Sequence, residues 1–291
     1  MKVHLLDGTY ELFRYHFGRP PGARPENEDD DVAGTRGVLW SVLTLLEEGV
    51  THLAVATDHV VESFRNDLWP GYKSSVGMDQ AILNQFGLLE DSLAAMGVKV
   101  WPMVELEADD ALAAGAASAA ADARVEQVVI MTPDKDLAQA VTGTRVVQLD
   151  RRSGTVTDEA GVVAKYGVAP ESIPDWLALV GDSSDGFPGL PGWGKKAAST
   201  VLARYRHLED IPEHPWRWEV EVRGRNALGA ALAEHRELAL LFRILATLRA
   251  DADVLSAVDD LRWSAPTDGF ADVADRLRAP RLAEKATSLA R

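Results

Sequence analysis

Nine acidic side chains stand where metal chemistry would need them. Asp7 and Asp58 each close a short apolar run, and Glu107, Asp109 and Asp110 fall together in Glu-Ala-Asp-Asp. Asp134 and Asp136 lie in Thr-Pro-Asp-Lys-Asp, and Asp182 and Asp185 in Gly-Asp-Ser-Ser-Asp-Gly. Glu107 and Asp110, three residues apart, share a helix face. A single acid at a helix start or in a loop needs no special reason. Nine of them converging on one sheet edge do, because like charges gathered there repel unless cations neutralise them. Oxygen donors without His or Cys select Mg²⁺ or Mn²⁺ over zinc. Two such ions about 4 Å apart can activate a water and stabilise the leaving oxygen of a phosphodiester.

A second constellation is Gly189-Leu-Pro-Gly192-Trp-Gly194-Lys195-Lys196. Its glycines let backbone amides approach a phosphate, and a helix starting near Lys195 turns its positive end the same way. This spacing is the helix-hairpin-helix pattern, which grips a nucleic-acid backbone without reading bases. The plainer alternative is a Gly-rich turn that caps a helix. A nucleotide-binding P-loop is excluded, since the Gly-x4-Gly-Lys-Ser/Thr frame is missing and no strand precedes it.

Positioning these groups requires an α/β domain. Val3–Leu6, Leu53–Thr57, Val98–Trp101 and Val128–Met131 read as strands, alternating with helical patterns at 35–48, 82–96, 108–121 and 137–140. Such alternation predicts a mostly parallel central sheet flanked by helices, with the acids just beyond the strands' carboxyl ends. Residues 146–149 and 154–157 read as a hairpin, and residues 19–31 as a solvated acidic loop. After Asp158 the pattern becomes all-helical, with segments at 159–166, 173–180, 195–205 and a longer one at 226–248. The expected organisation is an acidic domain over residues 1–157, a helical domain over 158–250 and a helical tail over 251–291 packing on the body.

The 291 residues contain no cysteine, which excludes disulfides, zinc-thiolate sites and cysteine nucleophiles. No apolar run reaches the roughly 18 residues needed to span a bilayer, and no signal-peptide pattern opens the chain, so a cytoplasmic protein is expected. The net charge of −15 would argue against nucleic acid as a partner, but the nine clustered acids account for most of it. Only eight of the 30 basic residues are lysines, and three of those (Lys135, Lys195 and Lys196) fall in the two constellations above.

With acids and hairpin in this order, the chain resembles the 5′ nuclease (flap endonuclease) superfamily, and within it bacterial stand-alone 5′–3′ exonucleases and the N-terminal nuclease domain of DNA polymerase I. The resemblance runs from residue 1 to about residue 250, and more loosely to the end. It implies a PIN-like (Rossmann-like) sheet followed by a helix-hairpin-helix (H3TH) region, and a 5′–3′ exonuclease or 5′-flap endonuclease acting on DNA in replication or repair. It implies that Asp7, Asp58, Glu107, Asp109 and Asp110 hold a first metal, and Asp134, Asp136, Asp182 and Asp185 a second. The ions would be Mg²⁺ or Mn²⁺, two or three in number. Arg14 and Lys73 would act on the scissile phosphate, Arg65 would contact DNA, and Tyr72 would stack on a terminal base. Gly189, Gly192, Gly194, Lys195 and Lys196 would hold the duplex, often through K⁺ in this family. A monomer is expected, and contact with a polymerase or ligase is compatible with the family.

Some positions depart from the family pattern. Thr57 stands where Phe is usual and Gly186 where Asn is usual. The segment 74–85, which forms an arch over the 5′ strand in the family, lacks the Arg or Lys often found there, and a mobile, weakly charged arch is expected. Alternative readings are a non-catalytic branched-DNA clamp or a PIN-type ribonuclease. A haloacid-dehalogenase-type phosphatase is disfavoured because its aspartyl nucleophile would fall at Leu5.

Overall fold

Apolar runs that end in an acid become the strands of the structure, a computed structural model that describes residues 1–18 and 31–290. The order begins β1 (Lys2–Asp7), α1 (Gly8–Phe17), α2 (Ala33–Glu47), β2 (His52–Asp58) and α3 (Phe64–Leu68). It continues through α4 (Gln80–Leu83), α5 (Gln85–Ala95), β3 (Lys99–Met103), α6 (Ala108–Ala121) and β4 (Gln127–Met131). Then come β5 (Val146–Asp150), β6 (Thr155–Thr157), α7 (Glu159–Tyr166), α8 (Ile173–Val180) and α9 (Lys195–Tyr205). The last helices are α10 (Arg225–Glu234), α11 (Arg236–Ala246), α12 (Phe270–Arg276) and α13 (Arg281–Leu289). Apart from Asp31, the acidic loop expected over residues 19–31 lies outside the described residues. Among the described residues no helix is long and apolar enough to cross a membrane.

The chain folds as two compact units: Met1–Val61, Ser75–Thr132 and Ala250–Arg291 in the first, Glu62–Ser74 and Pro133–Arg249 in the second. In unit 1 the strands are ordered β3-β2-β1-β4, all parallel, with Asp7 opposite Ala56 and Leu6 opposite Met131. In this order β1 is left first to one side and later to the other. The carboxyl ends of β1 and β4 therefore flank the switch point, where an open parallel sheet has its crevice. The strands are almost continuously apolar because helices cover the sheet, and Val3, Leu5, Ala54, Val55 and Ile130 are wholly buried.

Residues after Ala250 also belong to this unit. Trp263 donates its backbone N–H to Thr51 O (2.9 Å) and its indole N–H to Met96 O (2.9 Å). Lys285 pairs with Glu47. The segment from Ser75 is seated rather than free-standing. Asp79 Oδ1 accepts the Ala81 N–H (3.0 Å), His16 Nε2 lies 3.3 Å from Asp79 Oδ2, and Ala81 and Ile82 are buried. Val76, 88% exposed, stands well out, and Gly77 and Gln80 are also exposed. The segment's lack of basic residues was legible in the sequence, whereas its seat was not, because the pinning histidine lies 63 residues earlier.

Unit 2 is helical apart from the antiparallel β5–β6 hairpin. Trp176, Leu177, Phe187, Trp193, Val201 and Phe242 are among its core residues. The helix expected over 226–248 is broken at His235 (φ −113°), although neither Gly nor Pro marks the place. Its two halves follow different partners. Pro215 packs against Gly229 of α10, while α11 lies along α8.

One pH effect follows from β1. His4 has its Nδ1 buried without a hydrogen-bond partner. Burial first, and then the charge of Lys2, lowers its pKa below 6.5. The stability tied to a neutral His4 is present above pH 6.5 and is lost as the pH falls through the folded value, because the unfolded chain takes up the proton first. The urea midpoint should therefore drop between about pH 7.5 and about pH 5.5, and His4→Gln should reduce that drop. An identical drop in both proteins would contradict the assignment.

Candidate metal centre

Strand ends fix the acids of unit 1. Asp7 ends β1 and caps α1, its Oδ1 accepting the Tyr10 N–H (2.8 Å). Because Leu6 pairs with Met131, the next residues also meet, and the Thr132 hydroxyl donates to Asp7 Oδ2 (2.9 Å). Asp58 ends β2. Its N–H donates to the Thr9 hydroxyl (2.8 Å) and its Oδ1 accepts the Ala108 N–H (2.8 Å). Glu107 and Asp110 cap α6 reciprocally, the Glu107 N–H donating to Asp110 Oδ2 (3.0 Å), and both are buried. Asp109 is half-buried on the same turn.

Arg14 is held by Glu11, which is 1% exposed, and its guanidinium lies 4.2 Å from the Tyr15 ring centroid. Burial opposes the Arg14 charge, but Glu11 outweighs it and raises the pKa. Thr132, Thr9 and Glu11 are positioning residues that the sequence reading passed over. Thr132 directly follows the apolar run of β4, and Glu11 lies three residues before Arg14, so both positions carried a signal.

Unit 2 builds a tighter group. Asp182 sits in a loop closed by a two-residue bridge to Phe187, with N–H···O distances of 2.8 and 3.0 Å. Gly181 (φ +85°) and Gly189 (φ +71°) stand back to back, and a Cβ on Gly181 would lie 2.4 Å from the Pro188 carbonyl carbon. Asp136 opens a 3-10 turn (Asp136–Ala140), its N–H donating to Asp134 Oδ1 (2.9 Å).

Ligand oxygens of Asp136, Asp182 and Asp185 all lie within 4.8 Å of one another, the only such group of three among the described residues. Asp134 is outside it, with one oxygen spent on the cap. Asp136 Oδ1 is buried and has no hydrogen-bond partner. Burial first, then the charges of Asp134 and Asp185, push the Asp136 pKa well above the usual carboxylate range. Lys135 Nζ pairs with Asp182 and lies 3.9 Å from Asp136 Oδ1. Burial opposes its charge, but Asp136, Asp182 and Asp134 together raise its pKa. Three converging carboxylates, one with a buried and unsatisfied oxygen, fit a hard divalent cation.

The basic residues divide into those that face this group and those that do not. Lys73 Nζ lies 3.6 Å from Asp185, and its backbone is pinned by the Asp185 carbonyl (3.2 Å) and the Asn66 amide (2.9 Å). Tyr72, by contrast, is 5% exposed in the helical core, so its ring is not offered to a base; packing has taken the face that stacking would need. Arg65 is 1% exposed and donates to the Leu245 (2.8 Å) and Thr247 (3.1 Å) carbonyls at the end of α11. It ties segment 62–74 into the unit and presents no donor to DNA from the surface.

The hairpin leaves its own cations outside. The Leu190 N–H donates to Leu179 O (2.9 Å), the Trp193 indole donates to Leu228 O (3.1 Å), and Gly192 takes φ +79°. Gly194 starts α9 with no side chain capping it, and Lys195 and Lys196 are exposed. Lys195, Lys135 and Asp182 line one cleft of about 450 Å³.

Comparison with known proteins agrees with this geometry. A family model described as 5′-3′ exonuclease, N-terminal resolvase-like domain, matches residues 2–167. Another, 5′-3′ exonuclease, C-terminal SAM fold, matches residues 168–269. DNA polymerase I of Pseudomonas aeruginosa is 34% identical over 267 residues, covering 88% of this chain and 28% of that one. The chain thus spans under a third of the DNA polymerase I relatives. A 5′-3′ exonuclease of Buchnera aphidicola is 30% identical, covering 86% of this chain and 82% of that one. Among solved structures, T5 5′-exonuclease with bound zinc has a TM-score of 0.67 at 17% identity, covering 99% of this chain and 97% of that one. The catalytic core of Rad2 with a DNA substrate has 0.62 at 16%, covering 100% and 92%. At these identities the structural likeness establishes the shared fold.

Arg65→Met should lower the unfolding free energy by about 2–3 kcal/mol, since charged hydrogen bonds to the Leu245 and Thr247 carbonyls are lost. It should leave the salt dependence of DNA binding unchanged, as urea unfolding and fluorescence anisotropy would show. A phosphate contact would instead cost little stability and reduce the log–log salt slope by about 1.

Proposed function

The chain belongs to the 5′–3′ exonuclease family, and from that membership we propose a metal-dependent nuclease that hydrolyses DNA phosphodiesters at free 5′ ends and at 5′-flap junctions. The observation that carries the reading is the convergence of Asp136, Asp182 and Asp185, with Oδ1 of Asp136 buried and making no hydrogen bond. These three residues would hold Mg²⁺ or Mn²⁺. When bound, the cation supplies the positive charge that opens the phosphorus to attack and offsets charge on the leaving oxygen. The edge acids of unit 1, Asp7, Asp58, Glu107, Asp109 and Asp110, are assigned a second cation, and Asp134 supports the first by fixing the Asp136 backbone.

The remaining roles belong to the protein's own cations. Lys73, aligned by Asp185 and by its two backbone contacts, adds a fixed ammonium to stabilise charge on the scissile phosphate. Arg14 has one side of its guanidinium taken by Glu11, which orients the other donors toward an anion. At the hairpin, the uncapped start of α9 and the exposed Lys195 and Lys196 hold the duplex backbone, with little dependence on base sequence. K⁺ at the same turn fits this reading, as does action by a monomer.

A 5′-labelled flap duplex tests the proposal. With Mg²⁺ or Mn²⁺ the full chain should release short 5′ products, and none in EDTA. Asp182→Ala should lower the rate on the order of 10³-fold or more while retaining DNA binding. Cleavage unaffected by EDTA or by Asp182→Ala would refute it. Lys195→Ala with Lys196→Ala should flatten the log–log salt slope of binding by about 2. An unchanged slope would remove the hairpin from the interface.

A further inference from the structure

Lys135 stands where the carboxylates would take a cation. Its neighbours in sequence are Asp134 and Asp136, but its Nζ crosses to another loop to pair with Asp182, while Asp136 Oδ1 lies 3.9 Å away. Asp185, the third member of the group, faces a different ammonium, that of Lys73, at 3.6 Å. Lys135 thus sits between the two most buried carboxylates of the group. An ammonium and a divalent cation cannot share the same carboxylate oxygens closely, because they repel each other. Lys135 also has somewhere to go. Its side chain is a flexible four-carbon stem, about a third exposed (32%), on the wall of the cleft that Lys195 also lines.

We propose that Lys135 is the counter-ion of the metal-free centre: its ammonium holds Asp182 and Asp136 in their ligating arrangement and releases both when a divalent cation binds. The proposal rests on the metal-centre reading above. Lys135 is therefore a positioning residue. It keeps three acids together before metal arrives and withdraws into the cleft afterwards.

The full chain, Lys135→Met and Lys135→Arg would be melted in EDTA and in saturating Mg²⁺, and Mn²⁺ binding followed by electron paramagnetic resonance. Lys135→Met should melt about 2–4 °C below wild type in EDTA and level with it in Mg²⁺. Its Mn²⁺ affinity at this centre should be about five- to tenfold higher. Lys135→Arg, which keeps the charge, should stay near wild type in EDTA. The relevant ion is the one lost in Asp136→Asn, and circular dichroism confirms that each variant is folded. A Lys135→Met deficit of the same size in EDTA and in Mg²⁺ would mean that the ammonium never leaves, and would overturn the proposal. So would an unchanged Mn²⁺ affinity. If Asp136→Asn loses no Mn²⁺, the metal centre itself falls and Lys135 falls with it, a result distinct from the other two.

Discussion

Carboxylate repulsion is the constraint on which unit 2 is organised. Asp136, Asp182 and Asp185 bring oxygens within 4.8 Å of one another, two of the three residues being buried. Water cannot screen charges in that position, so the group persists only with cations among the oxygens or with a proton on one acid. Both responses are visible. Lys135 and Lys73 place ammonium groups against the cluster, and Asp136 is pushed toward its neutral form. A site built only for stability would have no use for this arrangement, since replacing such a group with apolar side chains of similar volume costs little or nothing.

The rest of the unit holds that arrangement against its own repulsion. Gly181 and Gly189 accept left-handed backbone so that the Asp182 loop can close on itself. Asp134 spends an oxygen capping the turn that carries Asp136. Arg65, buried, ties the segment bearing Lys73 to the end of α11. In unit 1 the same logic uses sheet topology: β1 and β4 are neighbours at the switch point, so Asp7 and Thr132 meet because of where the strands end. There Asp7, Asp58 and Asp110 accept hydrogen bonds from backbone N–H groups and, at Asp7, from a hydroxyl, and these orient the carboxylates.

Much of this was legible in the sequence because it depends on local pattern. An apolar run followed by an acid is a strand delivering a ligand to a sheet edge, and Asp7 and Asp58 are placed as that pattern requires. The glycine spacing of the hairpin likewise encodes its backbone directly. Side chains that could go either way were not legible. Tyr72 and Arg65 both have a large apolar body and a polar tip, and sequence spacing does not say which end is buried. The carbonyls that Arg65 caps lie 180 and 182 residues away. The break at His235 carries no Gly or Pro, because it is imposed by the partners of α10 and α11. The closeness of Lys135 to Asp182 is a tertiary fact of the same kind, although the lysine's place between two acids was plain.

Crystals grown with Mn²⁺, measured for anomalous scattering, would test the central claim most directly. The account predicts a strong peak ligated by Asp136, Asp182 and Asp185, with the Lys135 ammonium displaced from Asp182. Full Mn²⁺ occupancy elsewhere in the molecule with no peak among these three carboxylates would contradict it.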